Sequence, residues 1–185
     1  NQVLKSDAKL RKLIRDELLE LAEKHGDKRR TAIVEREAAQ ALAETALVSS
    51  EPVTVVLSVG GWVRAAKGHE IDPAALSYKS GDSYLASALG KSTQMAVFLD
   101  NAGRAYCLPA HKLPSARGFG EPIRTMLDID AEAQIVTMVV HRPEMQLLLA
   151  SNAGRGFAAV TDELLAETRK GRGVMNVKPG VRLAV

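Results

Sequence analysis

The apolar positions divide the chain into a helical start and a β-rich remainder. An apolar stripe at three-, four- and seven-residue spacing predicts an amphipathic helix over residues 3–24. Lys24 and His25 suit the negative end of its dipole, and Gly26 can end it. Two interpretations stay open for this helix: an arm of a coiled coil, or a surface helix packed on a neighbour. The stripe consists of Val3, Leu10, Ile14, Leu18 and Leu21.

A linker separates this helix from the β-rich region. Residues 26–31 form a charged turn, and residues 33–47 are rich in Ala, Glu and Leu, which favours a short helix. Ser49–Pro52 then breaks the pattern. The sequence therefore predicts three segments: the end of a helix at 1–25, a linker at 26–52 and a β domain at 53–185.

A strand–turn–strand pattern occurs three times in the β-rich region. Residues 97–106 read as a hairpin whose glycine, Gly103, takes the left-handed conformation. Nearly the same pattern follows at 148–157 around Gly154, and a looser version precedes it at 55–64 around Gly61. The three glycines lie 42 and then 51 residues apart, a spacing that is typical of propeller blades.

The repeat predicts a mainly β, propeller-like fold of about three blades. We expect the blades at about 53–92, 93–134 and 135–185, each with a hairpin followed by a glycine-bearing loop. Four-stranded units of this length cannot bury both faces alone, so they must stack on their neighbours. Three such units do not close a propeller, which favours an open arc or a truncated domain.

Motifs that suggest enzymatic chemistry are incomplete. Gly90–Thr93 resembles the end of a phosphate-binding loop, but the first glycine is missing and a strand follows instead of a helix. Gly118–Ile123 offers two glycines of a dinucleotide motif without the third. The four histidines are dispersed, and the single cysteine, Cys107, lies in an apolar strand and reads as a core residue. The sequence predicts no catalytic residue, metal site or disulfide in this chain.

Basic residues recur beside the turn glycines and in the glycine-bearing loops. Residues 1–52 carry ten basic and ten acidic side chains, so the net charge of +3 belongs to residues 53–185. A row of cations can neutralise several phosphates of a duplex, although an arginine after a turn can also be a solvated strand edge. Aromatic residues, at 4%, are too few for a single-strand stacking platform. The candidate DNA-binding residues are Arg64, Lys67, Lys79, Arg104, Arg117, Arg155, Arg169, Lys170 and Arg172.

Several motifs, in order, resemble a known family. Asp100–Arg104 with Leu113–Gly120 is similar to the blades of the A subunits of bacterial type IIA topoisomerases. Ser50–Ser58 followed by Gly61–His69 resembles the A subunit of topoisomerase IV, and residues 26–31 resemble the end of the tower and coiled-coil region. The resemblance covers almost the whole chain.

The resemblance implies a fold and a function. The C-terminal domain of this family is a β-pinwheel, a propeller-like array in which neighbouring blades exchange strands. Gyrase A carries a basic box in its first-blade loop, whereas Leu76–Ser83 here lacks the paired arginines and includes Asp82. Topoisomerase IV is therefore the better match. The implied role is a DNA-binding accessory domain that bends duplex DNA and biases the enzyme toward decatenation and relaxation of supercoils.

By the same resemblance, the holoenzyme is an ATP-dependent DNA topoisomerase, while this chain alone is not catalytic. ATP and Mg are implied for the holoenzyme and no cofactor for this chain. The implied partners are double-stranded DNA, the rest of the homodimeric A protein, and the B subunit of topoisomerase IV in a heterotetramer; no membrane span is expected. The implied location is the bacterial cytoplasm, at the nucleoid. Alternatives are a gyrase A domain with a degenerate box, or a propeller-type scaffold that binds another protein.

The start and end of the sequence add two expectations. Residue 1 is not a methionine and the chain opens within a helical pattern, which predicts a piece of a longer protein. In a strand-exchanged fold the last segment, 181–185, is expected to lack a strand partner and to leave an exposed edge.

Overall fold

The computed structural model describes residues 6–27, 30–31, 48–178 and 180–184. Val3 and the helix predicted at 33–47 lie outside these residues. The chain divides into two compact units, Asn1–Ala41 and Leu42–Val185.

The first unit contains helix α1, Asp7–His25, which confirms the predicted helix over its described part. The Gly26 N–H donates to the Ala22 carbonyl at 2.9 Å, and the backbone then turns extended. No residue of α1 is buried; Ile14, Leu18 and Leu21 of its apolar stripe are exposed, and Leu10 is half-buried.

The second unit is built from eleven described strands in three sheets. The longer strands are apolar and partly β-branched, the composition that packs well on a pleated surface. The strands are β1 (Pro52–Ser58), β2 (Trp62–Lys67), β3 (Tyr84–Lys91), β4 (Met95–Asp100), β5 (Arg104–Pro109), β6 (Glu121–Pro122), β7 (Ile135–Val140), β8 (Gln146–Ser151), β9 (Gly156–Val160), β10 (Arg172–Gly173) and β11 (Leu183–Ala184). Among the described residues, a short helix, α2, spans Ile123–Met126, and 3₁₀ turns span Ala110–Lys112 and Thr161–Leu164.

Within the second unit, neighbouring blades exchange strands, as the resemblance implies. The first sheet has the order β3-β1-β2-β6, the second β10-β5-β4-β7 and the third β11-β8-β9. Strand β6, which follows the second hairpin, thus closes the first sheet, and β10, which follows the third hairpin, closes the second. The mainly β, pinwheel-type fold is confirmed.

Two details of the sequence interpretation differ from the sheets. Strand β7 begins at Ile135, the predicted start of the third blade, yet it pairs with β4 in the second sheet. The expectation of an unpaired end is wrong for Leu183 and Ala184, which pair with Ser151 and Ala150 of β8. Strands β3, β7 and β11 each pair with the first strand of the hairpin before them, so β7 completes the second sheet and β11 the third.

The core consists of two clusters on opposite faces of the second sheet. Strand β4 is buried on both faces, since Phe98 packs in the cluster shared with the first sheet and Val97 in the cluster shared with the third. Leu57 and Val63 of the first hairpin belong to one cluster, and Leu149 belongs to the other. This alternation confirms that the three sheets stack through their faces.

The three hairpin turns have the same geometry. Gly61, Gly103 and Gly154 have φ values of 77°, 80° and 72°, which confirms the left-handed glycine predicted at each turn. In each turn the glycine N–H donates to the carbonyl three residues earlier.

Candidate nucleic-acid interface

The register of the three hairpins decides which basic residues are equivalent. Val63 faces Leu57, Ala105 faces Leu99, and Gly156 faces Ala150 across the same five-residue connection. The residue just after the turn glycine is therefore Trp62 in the first hairpin, Arg104 in the second and Arg155 in the third. Arg64 stands two positions further on and does not match the other two arginines. Sequence spacing alone had grouped all three.

In the first hairpin a lysine replaces the missing arginine charge. The Lys79 ammonium lies 3.6 Å from the centroid of the Trp62 ring. An ammonium over an aromatic face is attracted by the ring quadrupole. Lys79 is exposed, so this contact fixes the position of a cation that the solvent can still reach.

In the second hairpin Arg104 holds a basic loop. Its guanidinium donates to the carbonyls of Lys170 at 2.8 Å and Gly171 at 3.4 Å, and the side chain is half-buried. Lys170 and Arg172 are exposed around this contact. Arg169 is exposed as well, but it donates to the Thr125 carbonyl at 2.9 Å. Arg104 thus holds the loop that carries Lys170 and Arg172, a link between these candidate residues that the sequence did not predict.

In the third hairpin Arg155 is exposed and has no side-chain hydrogen bond or ion pair within the described residues. It shares a cavity of about 300 Å³ with Lys178, Asn176 and the buried Ser151. No carboxylate of the described residues lines this cavity. Lys178 was missed from the sequence because it lies beyond the glycine-bearing loop, with no repeat to mark it.

Arg64 is buried, at 3% exposure, which corrects its assignment to the surface. Its guanidinium donates to the Gly118 carbonyl at 2.8 Å and stacks over the Tyr78 ring at 4.7 Å. The adjoining Arg117 is exposed. Arg64 therefore anchors the loop that presents Arg117, as Arg104 anchors the loop that presents Lys170.

Lys67 is exposed but paired. Its ammonium lies 3.0 Å from a carboxylate oxygen of Glu51. The hydrogen bond and the charge of Lys67 lower the pKa of Glu51, so the Glu51 carboxylate stays ionised at neutral pH. We expect Lys67 to contribute less to an anionic contact than an unpaired cation does.

Asp82 carries a negative charge in the first-blade loop. Burial raises its pKa, but hydrogen bonds from Ser58 and the Gly60 and Ser83 N–H groups, with the charge of Arg64, bring the pKa below its ordinary value. The carboxylate is therefore ionised at neutral pH. It belongs to the turn, where it accepts from the Gly60 N–H at 2.7 Å.

Two sequence motifs and the possible metal ligands can be compared with the structure. No group of three or more His, Cys, Asp or Glu able to hold a metal occurs in the described part of the chain. Gly90 and Lys91 end β3, and Ser92 and Thr93 lie in the short turn to β4, so no helix follows the motif and it does not form a nucleotide-phosphate cradle. Cys107 is buried, as the sequence predicts, and burial raises the pKa of its thiol.

The described helices include none with the length and apolar character needed to cross a membrane. No family model matches the chain.

Curated relatives match the chain almost end to end. The A subunit of DNA topoisomerase 4 from Pseudomonas aeruginosa is 49% identical over 96% of the chain, and that of Haemophilus influenzae is 44% identical over 98%. The equivalent protein of Escherichia coli K12 is 43% identical over 95%. The chain spans about a quarter of the length of these relatives, 24% for the first two and 23% for the third.

Solved structures agree with the sequence relatives. The E. coli ParC C-terminal domain superimposes with a TM-score of 0.69 at 44% identity, covering 72% of this chain and 55% of that one. A C-terminal domain of DNA topoisomerase IV gives a TM-score of 0.61 at 19% identity, covering 74% of this chain and 45% of that one, and supports the fold alone.

Proposed function

Because the chain belongs to the family of topoisomerase IV A subunits, matching their C-terminal region, we propose that it is an accessory domain that binds and bends duplex DNA. Bending brings the segment to be transported toward the cleavage centre. The domain thereby biases the enzyme toward decatenation and relaxation of supercoils.

One observation carries the proposal: each of the three units presents exposed cations beside its hairpin turn. Lys79 stacks on Trp62, Lys170 and Arg172 surround Arg104, and Arg155 has no partner among the described residues. A curved row of such charges releases the counterions of several phosphates at once. Of the nine candidate residues, we assign direct DNA contact to the seven exposed ones, while Arg64 and Arg104 hold the loops that carry Arg117 and Lys170.

The remaining assignments concern the longer protein. We place this domain in a homodimeric A protein that assembles with the B subunit of topoisomerase IV, in the bacterial cytoplasm at the nucleoid. The holoenzyme is an ATP-dependent type IIA topoisomerase, in which ATP and Mg bind to parts outside this chain. The chain by itself supplies no group for strand cleavage.

Fluorescence anisotropy with a labelled duplex of about 30 bp tests the proposal. Binding through several phosphate contacts must weaken steeply between about 50 and 200 mM salt. The expected result is saturable binding that falls with salt for any duplex sequence. Absence of binding at low salt would contradict the proposal and favour the alternative of a protein-binding scaffold.

A triple substitution, Arg104→Ala with Arg117→Ala and Arg155→Ala, sharpens the test. We expect weaker binding to all sequences and a salt slope that flattens by about one unit for each phosphate contact that is removed. An unchanged slope would show that these loops do not form the DNA-binding surface. In a reconstituted enzyme, supercoiling instead of relaxation would decide for the gyrase alternative.

A further inference from the structure

A cavity of about 450 Å³ lies between two loops of the second unit of the chain, and arginines are the only charged residues among its described lining. Arg64 and Arg117 supply these charges, beside Ser77 and the apolar Phe119 and Leu76. No carboxylate of the described residues lines it.

The buried arginine in this cavity has an unused donor. Arg64 is 3% exposed, and its Nη1 donates to the Gly118 carbonyl. Its Nη2 is buried without a hydrogen-bond partner, the one such side-chain atom among the described residues. No carboxylate of the described residues forms an ion pair with it.

An unpaired buried guanidinium group is costly. A buried donor without a partner loses the hydrogen bond that water would give it, and a buried charge without a counter-charge costs several times more. The Tyr78 ring, 4.7 Å away, attracts the cation but accepts no ordinary hydrogen bond. The charge of Arg64 helps to lower the pKa of Asp82, but the hydrogen bonds that the Asp82 carboxylate accepts come from the turn and not from Arg64. An anion in the cavity would supply what is missing.

The loop that closes the cavity offers further donors and space. The N–H groups of Gly118 and Phe119 donate no hydrogen bond among the described residues. An added Cβ at Gly118 would meet no atom within 4 Å, so the backbone here is open to a ligand. Arg117 is exposed at the same loop and adds a second positive charge.

We propose that this cavity is a phosphate-binding site in which Arg64 is the buried donor and Arg117 the cation at the mouth. The Gly118 and Phe119 N–H groups complete the set of donors. Since Nη2 is covered, the phosphate reaches it with a small movement of the exposed loop at 117–119. The bound group is a phosphate of the DNA backbone or a free phosphate, and both present the same oxygens.

This inference rests in part on the proposed function, since a DNA phosphate is one of the two sources. It adds a specific phosphate-binding site, centred on the buried Arg64, to a surface whose other candidate contacts are exposed cations. Binding of DNA by exposed charge alone does not need such a site, so the phosphate site and the general DNA-binding surface can be tested separately.

The test is a titration of the ¹⁵N-labelled chain with inorganic phosphate at constant ionic strength, followed by NMR. The signals observed are the amides of Gly118 and Phe119 and the Nε–H of Arg64. We expect all three to shift along one saturable curve, while sodium chloride alone leaves them in place. Linear or absent shifts would overturn the phosphate site.

Three variants separate the site from general charge. Arg117→Ala, at an exposed position, should weaken phosphate binding at least about tenfold without unfolding the chain. Arg64→Lys keeps the charge but lacks the planar guanidinium that places one donor on Gly118 and another toward the phosphate, and it should weaken phosphate binding as much as Arg117→Ala does. Lys91→Ala removes an exposed cation outside the cavity and should leave the curve unchanged. If Lys91→Ala weakens binding as strongly as Arg117→Ala does, the site is not specific and the inference fails.

A second arm uses a duplex of about 30 bp in place of inorganic phosphate. If the duplex shifts the same three signals and displaces phosphate, the source is the DNA backbone. If only inorganic phosphate shifts them, the site holds and takes free phosphate. If the duplex binds elsewhere and neither ligand shifts these signals, the inference is wrong while the proposed function stands. Failure of the duplex to bind at all would instead remove the proposed function, and the phosphate titration would still decide the site.

Discussion

The second and third hairpins have the same turn, the same register and different surroundings. Tyr106 of the second hairpin is 0% exposed, whereas Phe157, at the same register position of the third, is 43% exposed. Leu148 of the third hairpin is 76% exposed. Equivalent sequence positions therefore carry unequal packing.

The difference comes from the exchanged strand. Strand β10 pairs with β5, and the Val174 and Met175 N–H groups donate to the Gly103 carbonyl at 2.9 and 3.0 Å. Gly171 lies so close to the Tyr106 ring that an added Cβ would meet a ring carbon at 2.6 Å. Within the described residues no segment covers β9 in this way. The stability of a hairpin in this fold thus depends on a segment about seventy residues away in sequence.

The largest expected loss of stability follows from truncating the two equivalent aromatic residues, Tyr106 and Phe157. Tyr106→Ala should lower the free energy of unfolding by about 3–5 kcal/mol, since it empties a fully buried position. Phe157→Ala should cost less than half of that, because much of the side chain is already solvated. Urea unfolding followed by circular dichroism measures both. Equal losses would contradict the role of the exchanged strand.

The turn glycines give the next comparison. Gly103→Ala forces a Cβ into the Met175 carbonyl at a φ of 80°, so left-handed strain adds to a clash, at about 2–5 kcal/mol in total. Gly154→Ala has a φ of 72° but meets no atom within 4 Å, and should cost only the strain, about 1–2 kcal/mol. Thermal unfolding of the two variants checks the order. A larger loss for Gly154→Ala would exclude this explanation.

A polar contact also stabilises the second hairpin more than its counterpart stabilises the third. The Tyr106 hydroxyl donates to the buried Asp100 carboxylate at 3.1 Å, while in the third hairpin the Ser151 hydroxyl donates to the Arg155 carbonyl at 3.0 Å. Tyr106→Phe should cost about 1.5–3 kcal/mol, because it leaves a carboxylate oxygen unpaired. Ser151→Ala should cost about 0.5–1.5 kcal/mol. Urea midpoints of the two variants give the order, and a larger loss for Ser151→Ala would contradict it.

Tyr106 also predicts a pH dependence. Burial first, and then the charge of Asp100, raises the pKa of Tyr106 to about 12. A raised pKa in the folded state stabilises the protein below the unfolded value near 10, and this stability is lost as the pH rises from about 10 to 12. Denaturant unfolding across this range should show a shallower decline for Tyr106→Phe than for the unmodified chain. Parallel declines would rule out this titration.

Much of this organisation was readable from the sequence. The alternation around Gly61, Gly103 and Gly154 predicted the hairpins and their left-handed turns, because only local geometry is involved. The pairing of β7 with β4, and of β11 with β8, was not predicted, since no local pattern marks the strand that borders the first strand of each hairpin. The resemblance implied exchange in general without giving its register.

The candidate site divides in the same way. Exposed cations such as Arg117 and Arg155 follow from charge beside a turn glycine. The burial of Arg64 does not, because a register shift of two residues separates it from the arginine positions of the other hairpins. Its contacts with Tyr78 and Gly118 join parts of the chain that no local pattern connects.

The most direct measurement compares the two equivalent arginines in duplex binding. We predict that Arg155→Ala reduces the salt slope of duplex affinity by about one unit and leaves the urea midpoint unchanged, since its guanidinium has no partner among the described residues. Arg104→Ala should lower the urea midpoint, because it releases the loop at Lys170 and Gly171. An unchanged salt slope for Arg155→Ala would contradict the claim that the hairpin cations of this domain bind DNA.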